Sequence, residues 1–193
     1  MRNVRVIVGI AGASGAALGV SVVRQLREMG AEVDLVASAA AQRTLHEEVG
    51  PEAWDHLKAQ ASRVHDVHNI GASIASGSVP IAGMIVAPCS MRSLAAIAAG
   101  LDDNLLSRAA GVQLKERRRL VLLAREAPLT LAHLRNMTSV TEMGAIVMPP
   151  VPAFYLNPTS VRQIVDQLAA RAIDVLGIGD GLAKQWKEGS CCD

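Results

Sequence analysis

Residues 4–29 read VRVIVGIAGASGAALGVSVVRQLREM, and this stretch decides the fold. Its first seven residues are mostly β-branched and apolar with no alternation, the pattern of a strand covered on both faces. From Ala16 to Met29 apolar positions recur at helical spacing, and Gly30 stands where a helix C-cap belongs. A glycine turn joins the two. Strand, glycine turn and helix in that order open an α/β domain.

The alternation continues along the chain. Strands are expected at 33–37, 81–87, 120–124 and 145–148, and helices at 39–49, 90–99, 104–115, 130–143 and 160–175. Gly50-Pro51 stops the second helix. The runs IAGMIVA and LVLLA do not alternate, so they too read as strands with helices on both sides. The expected architecture is a doubly wound parallel sheet in a three-layer α/β sandwich. No internal repeat or linker interrupts it.

Composition bounds the remaining classes. The chain has 193 residues, 50% of them hydrophobic, with a mean hydropathy of +0.27, which excludes a disordered protein. A chain of this length buries roughly 70% of its unfolded surface, so one domain over 1–180 with a tail over 181–193 is expected, without disulfide or metal staples. Nineteen basic residues against 18 acidic ones give a charge of +1, and aromatics are 2% of the chain. Both facts oppose a nucleic-acid partner, which would need a basic face and stacking rings. The three cysteines, Cys89, Cys191 and Cys192, form no disulfide framework or zinc spacing. The N-terminal apolar run is too short for a signal peptide, and no uncharged stretch of about 20 apolar residues could span a membrane, so the default compartment is the cytosol.

In open parallel sheets, ligands bind at the carboxyl ends of strands, so the loops there carry the chemistry. The first is GIAGASG, residues 9–15. Glycines let backbone amides approach a phosphate at a helix N-terminus, and Ser14 adds a hydroxyl. The spacing is G-x-x-G-x-x-G rather than the dinucleotide fingerprint, and Ser38 stands where that fingerprint would have an acid, which favours a mononucleotide. The alternative is a tight turn with no ligand. SIASGS at 73–78 is a small, hydroxyl-rich loop suited to an anion or a surface loop of ordinary kind. At APCSMR, residues 87–92, Ser90 is either a ligand contact or only an N-cap, and Cys89 reads as buried rather than nucleophilic. Arg108 and Lys115 are seven residues apart and share a helix face, where paired cations can hold a dianionic phosphate. The cluster Lys115 to Arg119 otherwise reads as a solvated turn. Arg125-Glu126 follows a central strand directly, a poor place for mere solvation. Arg125 suits an anion, and Glu126 suits proton transfer if burial or a cationic shell tunes it. Tyr155 and Arg171 complete a candidate anion shell. The five histidines are scattered without metal-ligand spacing.

Taken together, AGASGA at 11–16, SIASGS at 73–78, APCSM at 87–91, DNLLSRAAGVQLKERR at 103–118, LAREAPL at 123–129 and PAFY at 152–155 resemble the UbiX-type flavin prenyltransferases. The resemblance spans nearly the whole chain. It implies a Rossmann-like or flavodoxin-like domain that binds FMN and joins a dimethylallyl group from dimethylallyl monophosphate to N5 and C6 of the reduced flavin, with no metal. The product would serve a UbiD-type decarboxylase. Carried over by residue, the resemblance assigns Gly12, Ala13, Ser14, Ser38, Ser90, Met91 and Arg125 to FMN. It assigns Ala75, Ser76, Arg108, Lys115, Tyr155, Arg171 and Trp186 to the prenyl donor, some of them from neighbouring subunits. Glu126, Glu48 and Ser14 stand at the reacting centre, Glu126 as the acid-base group. A homododecamer is implied, which sharpens the expectation from an apolar composition that copies of the chain seal against one another.

This sequence departs from the pattern at three points. Leu18 stands where Tyr is frequent, Gly111 where an acid is usual, and Ala127 where Thr is common. The competing readings are an FMN-dependent cysteine decarboxylase, which would use a histidine and a PASANT-like segment where this chain has APCSM, and a flavin carrier without chemistry, which would have a ruined phosphate shell.

Overall fold

The computed structural model describes residues 4–186, which form a six-stranded sheet in the order β3-β2-β1-β4-β5-β6. The strands are β1 (Arg5–Ile10), β2 (Glu32–Ala37), β3 (Arg63–His65), β4 (Gly83–Cys89), β5 (Arg119–Ala124) and β6 (Ile146–Val147), and every pairing is parallel. The chain winds outward from β1 to one edge, returns to place β4 beside β1, and winds outward to the other edge. Right-handed crossovers taken in opposite directions put the connecting helices on opposite faces. Accordingly α1 (Ala16–Glu28), α2 (Ala39–Glu48) and α3 (Ala53–Gln60) cover one face, and α4 (Met91–Ala98), α5 (Leu105–Lys115) and α6 (Leu131–Glu142) cover the other. The last helix, α7 (Val161–Leu176), returns to the α1 face.

The expected sandwich is therefore present, and the strand runs explain it. Val6, Val8 and Ile10 enter the core under α1 and α7, while Ile7 enters the core under α4 and α5, all fully buried. Helix starts fall where short polar residues cap them: Ser38, Ser90, Asn104, Thr130 and Ser160 each accept a backbone N–H from the first turn.

Two elements were not expected. After Gly50-Pro51 the chain forms α3 and then β3, which is short and polar. Its residues show no apolar periodicity because β3 is an edge strand held by side chains. The fully buried carboxylate of Asp34 on β2 accepts from the Arg5 guanidinium at 2.5 and 2.7 Å and lies 2.7 Å from His65 Nε2. Burial alone would push this carboxyl up, but the Arg5 and His65 contacts outweigh it and hold Asp34 at about 2.

The chain beyond α7 folds back on that helix. Asp174 accepts the N–H groups of Leu182 and Ala183 at 2.7 and 3.0 Å, and Gln167 exchanges two 3.1 Å hydrogen bonds with the backbone of Lys184. The first part of the expected tail is thus docked through residue 186. Cys191 and Cys192 lie outside the described residues. Among the described residues no helix is long and apolar enough to cross a membrane.

Candidate active site

The order of the sheet makes β2, β1, β4 and β5 four successive neighbours, with the winding reversal between β1 and β4. A crevice at the carboxyl ends of strands opens at such a point. Backbone hydrogen bonds lace the four strand-end loops together: Ser38 N–H to Ile10 O at 3.0 Å, Ala11 N–H to Pro88 O at 3.1 Å and Arg125 N–H to Cys89 O at 3.0 Å. Gly12, Ala13, Ser14, Ser38, Ser90, Met91 and Arg125 are all carried by these loops or by the helix starts that follow them.

The glycine turn is tight for a visible reason. A Cβ on Gly12 would fall 2.3 Å from that of Ala40, and Gly15 takes φ +103°, so the turn can lie against the start of α2 only with glycine there. At the α1 N-terminus, Glu48 from the end of α2 accepts the N–H groups of Gly15 and Ala16, both at 2.8 Å, and the Ser14 hydroxyl. Partial burial pushes the Glu48 carboxyl up, but these three donors and the charge of Arg125 outweigh it and leave it below the usual carboxylate range. A phosphate expected at this helix N-terminus would meet an end already partly occupied. Its first amides are spent on an ionised side chain, and the amides of Gly12, Ala13 and Ser14, which have no partner among the described residues, are the donors left for an anion.

Other residues sort clearly. Ser38 and Ser90 are N-caps, accepting from Ala41 N–H at 3.1 Å and Ser93 N–H at 3.3 Å. Cys89 is fully buried, and burial pushes its thiol up to about 12, so it stays a neutral core residue. Glu126 is exposed, and its carboxylate accepts the N–H of Ala127 at 3.1 Å. Arg125 is its neighbour in the same loop, whereas Arg108, Lys115 and Arg171 sit on the helices that flank the sheet. Among the histidines, His65 is a structural partner of Asp34 and His133 sits in the capping box of α6.

The donor residues form two groups. The first lies on the α5 side. Ala75 ends the short 3-10 turn Ser73–Ala75, which packs on α5 through the buried Ile74. The loop that follows rests on the end of α5: a Cβ on Gly77 would fall 2.6 Å from Lys115 Nζ, and Ser76 shares a 2.8 Å hydrogen bond with Ser78. Both cations of α5 already have carboxylates. Arg108 donates to Asp102 at 2.7 Å, and Lys115 pairs with Glu116. A Cβ on Gly111 would lie 3.2 Å from Asp102 Oδ1, so the small residue leaves room for Asp102 beside Arg108. Leu18, another of the departures, is a residue of α1 and faces the core on that side of the sheet.

The second group lies on the α7 side. Tyr155, Arg171 and Trp186 line one cavity of about 380 Å³, where the Tyr155 and Trp186 rings meet edge to face with centroids 4.9 Å apart. Docking of residues 182–184 on α7 is what delivers Trp186 there. The sheet separates the two groups, so one chain does not bring Arg108 and Lys115 to Tyr155 and Arg171. Sequence reasoning missed Arg118, which donates to Gly77 O at 2.7 Å and Val79 O at 2.9 Å. It stands in the run taken for a solvated turn, and nothing in that run distinguishes it from its neighbours.

Known proteins resemble this arrangement over nearly its full length. The Flavoprotein family model matches residues 1–178. The flavin prenyltransferase UbiX of Thauera aromatica is 48% identical over 182 residues, 94% of this chain and 93% of that protein. The crystal structure of AnUbiX in complex with FMN and dimethylallyl pyrophosphate superposes with a TM-score of 0.93 at 43% identity, covering 98% of this chain and all of that one. The dodecameric FMN-dependent UbiX-like decarboxylase of Escherichia coli O157:H7 gives 0.90 at 44%, covering 95% and 99%. The chain belongs to the UbiX flavin prenyltransferase family of flavoproteins.

Proposed function

We propose that this protein is a flavin prenyltransferase that takes a dimethylallyl group from dimethylallyl monophosphate and attaches it to N5 and C6 of reduced FMN. The observation that carries the reading is the convergence of four laced strand-end loops on one crevice, in a chain that also carries a cation-bearing group on each face of its sheet.

The crevice fits a flavin mononucleotide: its unpartnered loop amides suit an anionic tail, and the Ser38 and Arg125 side chains offer further donors at the same edge, while the Ser90 hydroxyl donates to Ser93 Oγ at 3.2 Å and leaves its oxygen to accept. Reduced FMN, when bound, supplies two nucleophilic positions and a π face for the allyl group. The residues do the rest. Breaking the allyl C–O bond develops negative charge on the leaving phosphate, so Ser76, Arg108, Lys115, Tyr155 and Arg171 stabilise it as it forms. Trp186, edge-on to Tyr155, closes the donor side against water. Glu48, ionised and fixed on the α1 N-terminus, holds the turn that carries Ser14 in place. The departing phosphate would accept the N5 proton, and Glu126 would relay a proton from C6 to the allyl double bond as the second ring closes, so that the net addition is C5H8.

The separation of the two cation groups requires a neighbouring copy to complete each site, which supports a homo-oligomer of the dodecameric kind. The product would pass to a UbiD-type decarboxylase. A carrier without chemistry would not keep both cation groups, and a cysteine decarboxylase would carry a PASANT-like segment where this chain has APCSM. The test is anaerobic incubation of the purified protein with reduced FMN and dimethylallyl monophosphate, read by mass spectrometry. Addition of C5H8 to the flavin is expected. Unmodified flavin overturns the proposal, and a parallel incubation with the pyrophosphate decides the donor.

A further inference from the structure

We propose that Arg118 and Arg5 are positioning residues that clamp the segment Ser73–Val79 from its two ends and so set the affinity for the donor's phosphate. The inference rests on the reading above, in which Ala75 and Ser76 meet that phosphate.

The segment is a 3-10 turn and a loop whose internal bonds are all short-range, and it is fixed to the rest of the fold at three points. In the middle, Ile74 is fully buried among the apolar residues of α5. At the leading end, Arg5 Nη2 donates to Ser73 Oγ at 3.2 Å, and Arg5 itself is locked by two bonds to Asp34. At the trailing end, Arg118 spends its planar fork on two carbonyls of the loop, Gly77 O and Val79 O. Only a guanidinium reaches two acceptors in this way; an ammonium offers a compact charge with no fixed fork. Ser76 and Gly77 therefore sit at a set height over the end of α5, beside Lys115. A loop held before the ligand arrives loses less entropy on binding, so the clamp lowers the donor's dissociation constant without touching the donor. Neither arginine lies at the flavin crevice, so flavin affinity is independent of both.

The experiment compares R118A, R118K and S76A with the unaltered protein in anaerobic transfer at varied dimethylallyl monophosphate. FMN affinity is measured by fluorescence and assembly by light scattering. For R118A the donor KM rises about tenfold with kcat and FMN affinity unchanged, and R118K falls between the two because it keeps one of the two bonds. S76A raises KM to a similar extent. If S76A raises KM and R118A leaves it unaltered, the clamp is wrong while the loop's role stands. If S76A has no effect, the loop does not hold phosphate and both readings fall. A parallel loss of FMN affinity in R118A also overturns the proposal, since that is the mark of a general structural role. Should R118A fail to assemble, S73A, which removes only the Arg5 contact, is expected to raise KM about threefold, and no rise overturns the clamp.

Discussion

The flavin crevice and the donor cradle are built by opposite means. The crevice is assembled from four adjacent strand ends within one chain, and three interloop backbone hydrogen bonds hold its rim. The cradle is divided by the sheet, with Arg108 and Lys115 on the α5 face and Tyr155, Arg171 and Trp186 on the α7 face. Its halves also differ in charge. Asp102 and Glu116 occupy the α5 cations, whereas Arg171 forms no ion pair among the described residues. Exposed pairs of this kind contribute little in water, so an arriving dianion displaces those carboxylates at small cost. Sheet topology alone builds a cofactor crevice; bringing separated cations to one phosphate takes association of copies.

The sharpest way to break that comparison is subunit complementation. R108A and R171A each remove a charge-assisted contact to the donor, worth about 1.5–3 kcal/mol, so each lowers donor kcat/KM on the order of 100-fold while FMN still binds. Co-assembled in equal amounts, the two variants pair an intact α5 half with an intact α7 half in roughly a quarter of sites, and activity returns to that extent. Steady-state rates of the separate and mixed proteins decide it. No recovery on mixing would mean that each chain completes its own cradle, against the placement of α5 and α7.

Legibility in the sequence followed the same division. Strands β1, β4 and β5 announce themselves because burial on both faces demands unbroken apolar runs, and the helix starts because Ser90, Asn104, Thr130 and Ser160 cap them. The crevice followed from those elements, since its residues sit directly after strands. Strand β3 was illegible because Arg63, Val64 and His65 owe their place to Asp34, a contact across 29 to 31 residues that no local pattern encodes. Asp34 itself, one acid in VDLVA, looks like an ordinary polar alternate yet is fully buried. Arg118 was hidden for a related reason: in a run of charges, only tertiary contacts show which guanidinium turns inward.

The Asp34 network underlies the leading edge of the cradle, and its acid sensitivity is a second way to sharpen the contrast. The folded carboxyl is held at about 2, below its ordinary 3.8. A lowered folded value means that the stabilisation is complete above about pH 5, and it fades as pH falls through 3.8 toward 2. The span is worth about 2 kcal/mol from this one group. Urea unfolding between pH 5 and pH 2 measures it, and D34N flattens that limb while losing stability at neutral pH, where Arg5 is left part-buried without its carboxylate. Equal acid slopes in the two proteins would show that the Asp34 carboxyl titrates alike in the folded and unfolded chain, so that Arg5 and His65 do not hold it down.

The smallest effect concerns the crevice, at Ser38. Its oxygen caps α2 by accepting the N–H of Ala41, and its proton remains free for a flavin oxygen. Removing the hydroxyl thus mixes two losses. S38A is expected to weaken FMN binding about three- to tenfold, since a hydrogen bond nets about 0.5–1.5 kcal/mol. Glycine replaces Ser at an N-cap for only a few tenths of a kcal/mol, whereas alanine costs about 1. If the hydroxyl touches the flavin, S38A and S38G weaken FMN alike although their melting temperatures differ. If Ser38 only caps, affinity follows helix stability and S38G binds as the unaltered protein does. The crevice would then rest on the Gly12–Ser14 amides and Arg125, and its grip on FMN would come from backbone that the fold fixes within one chain.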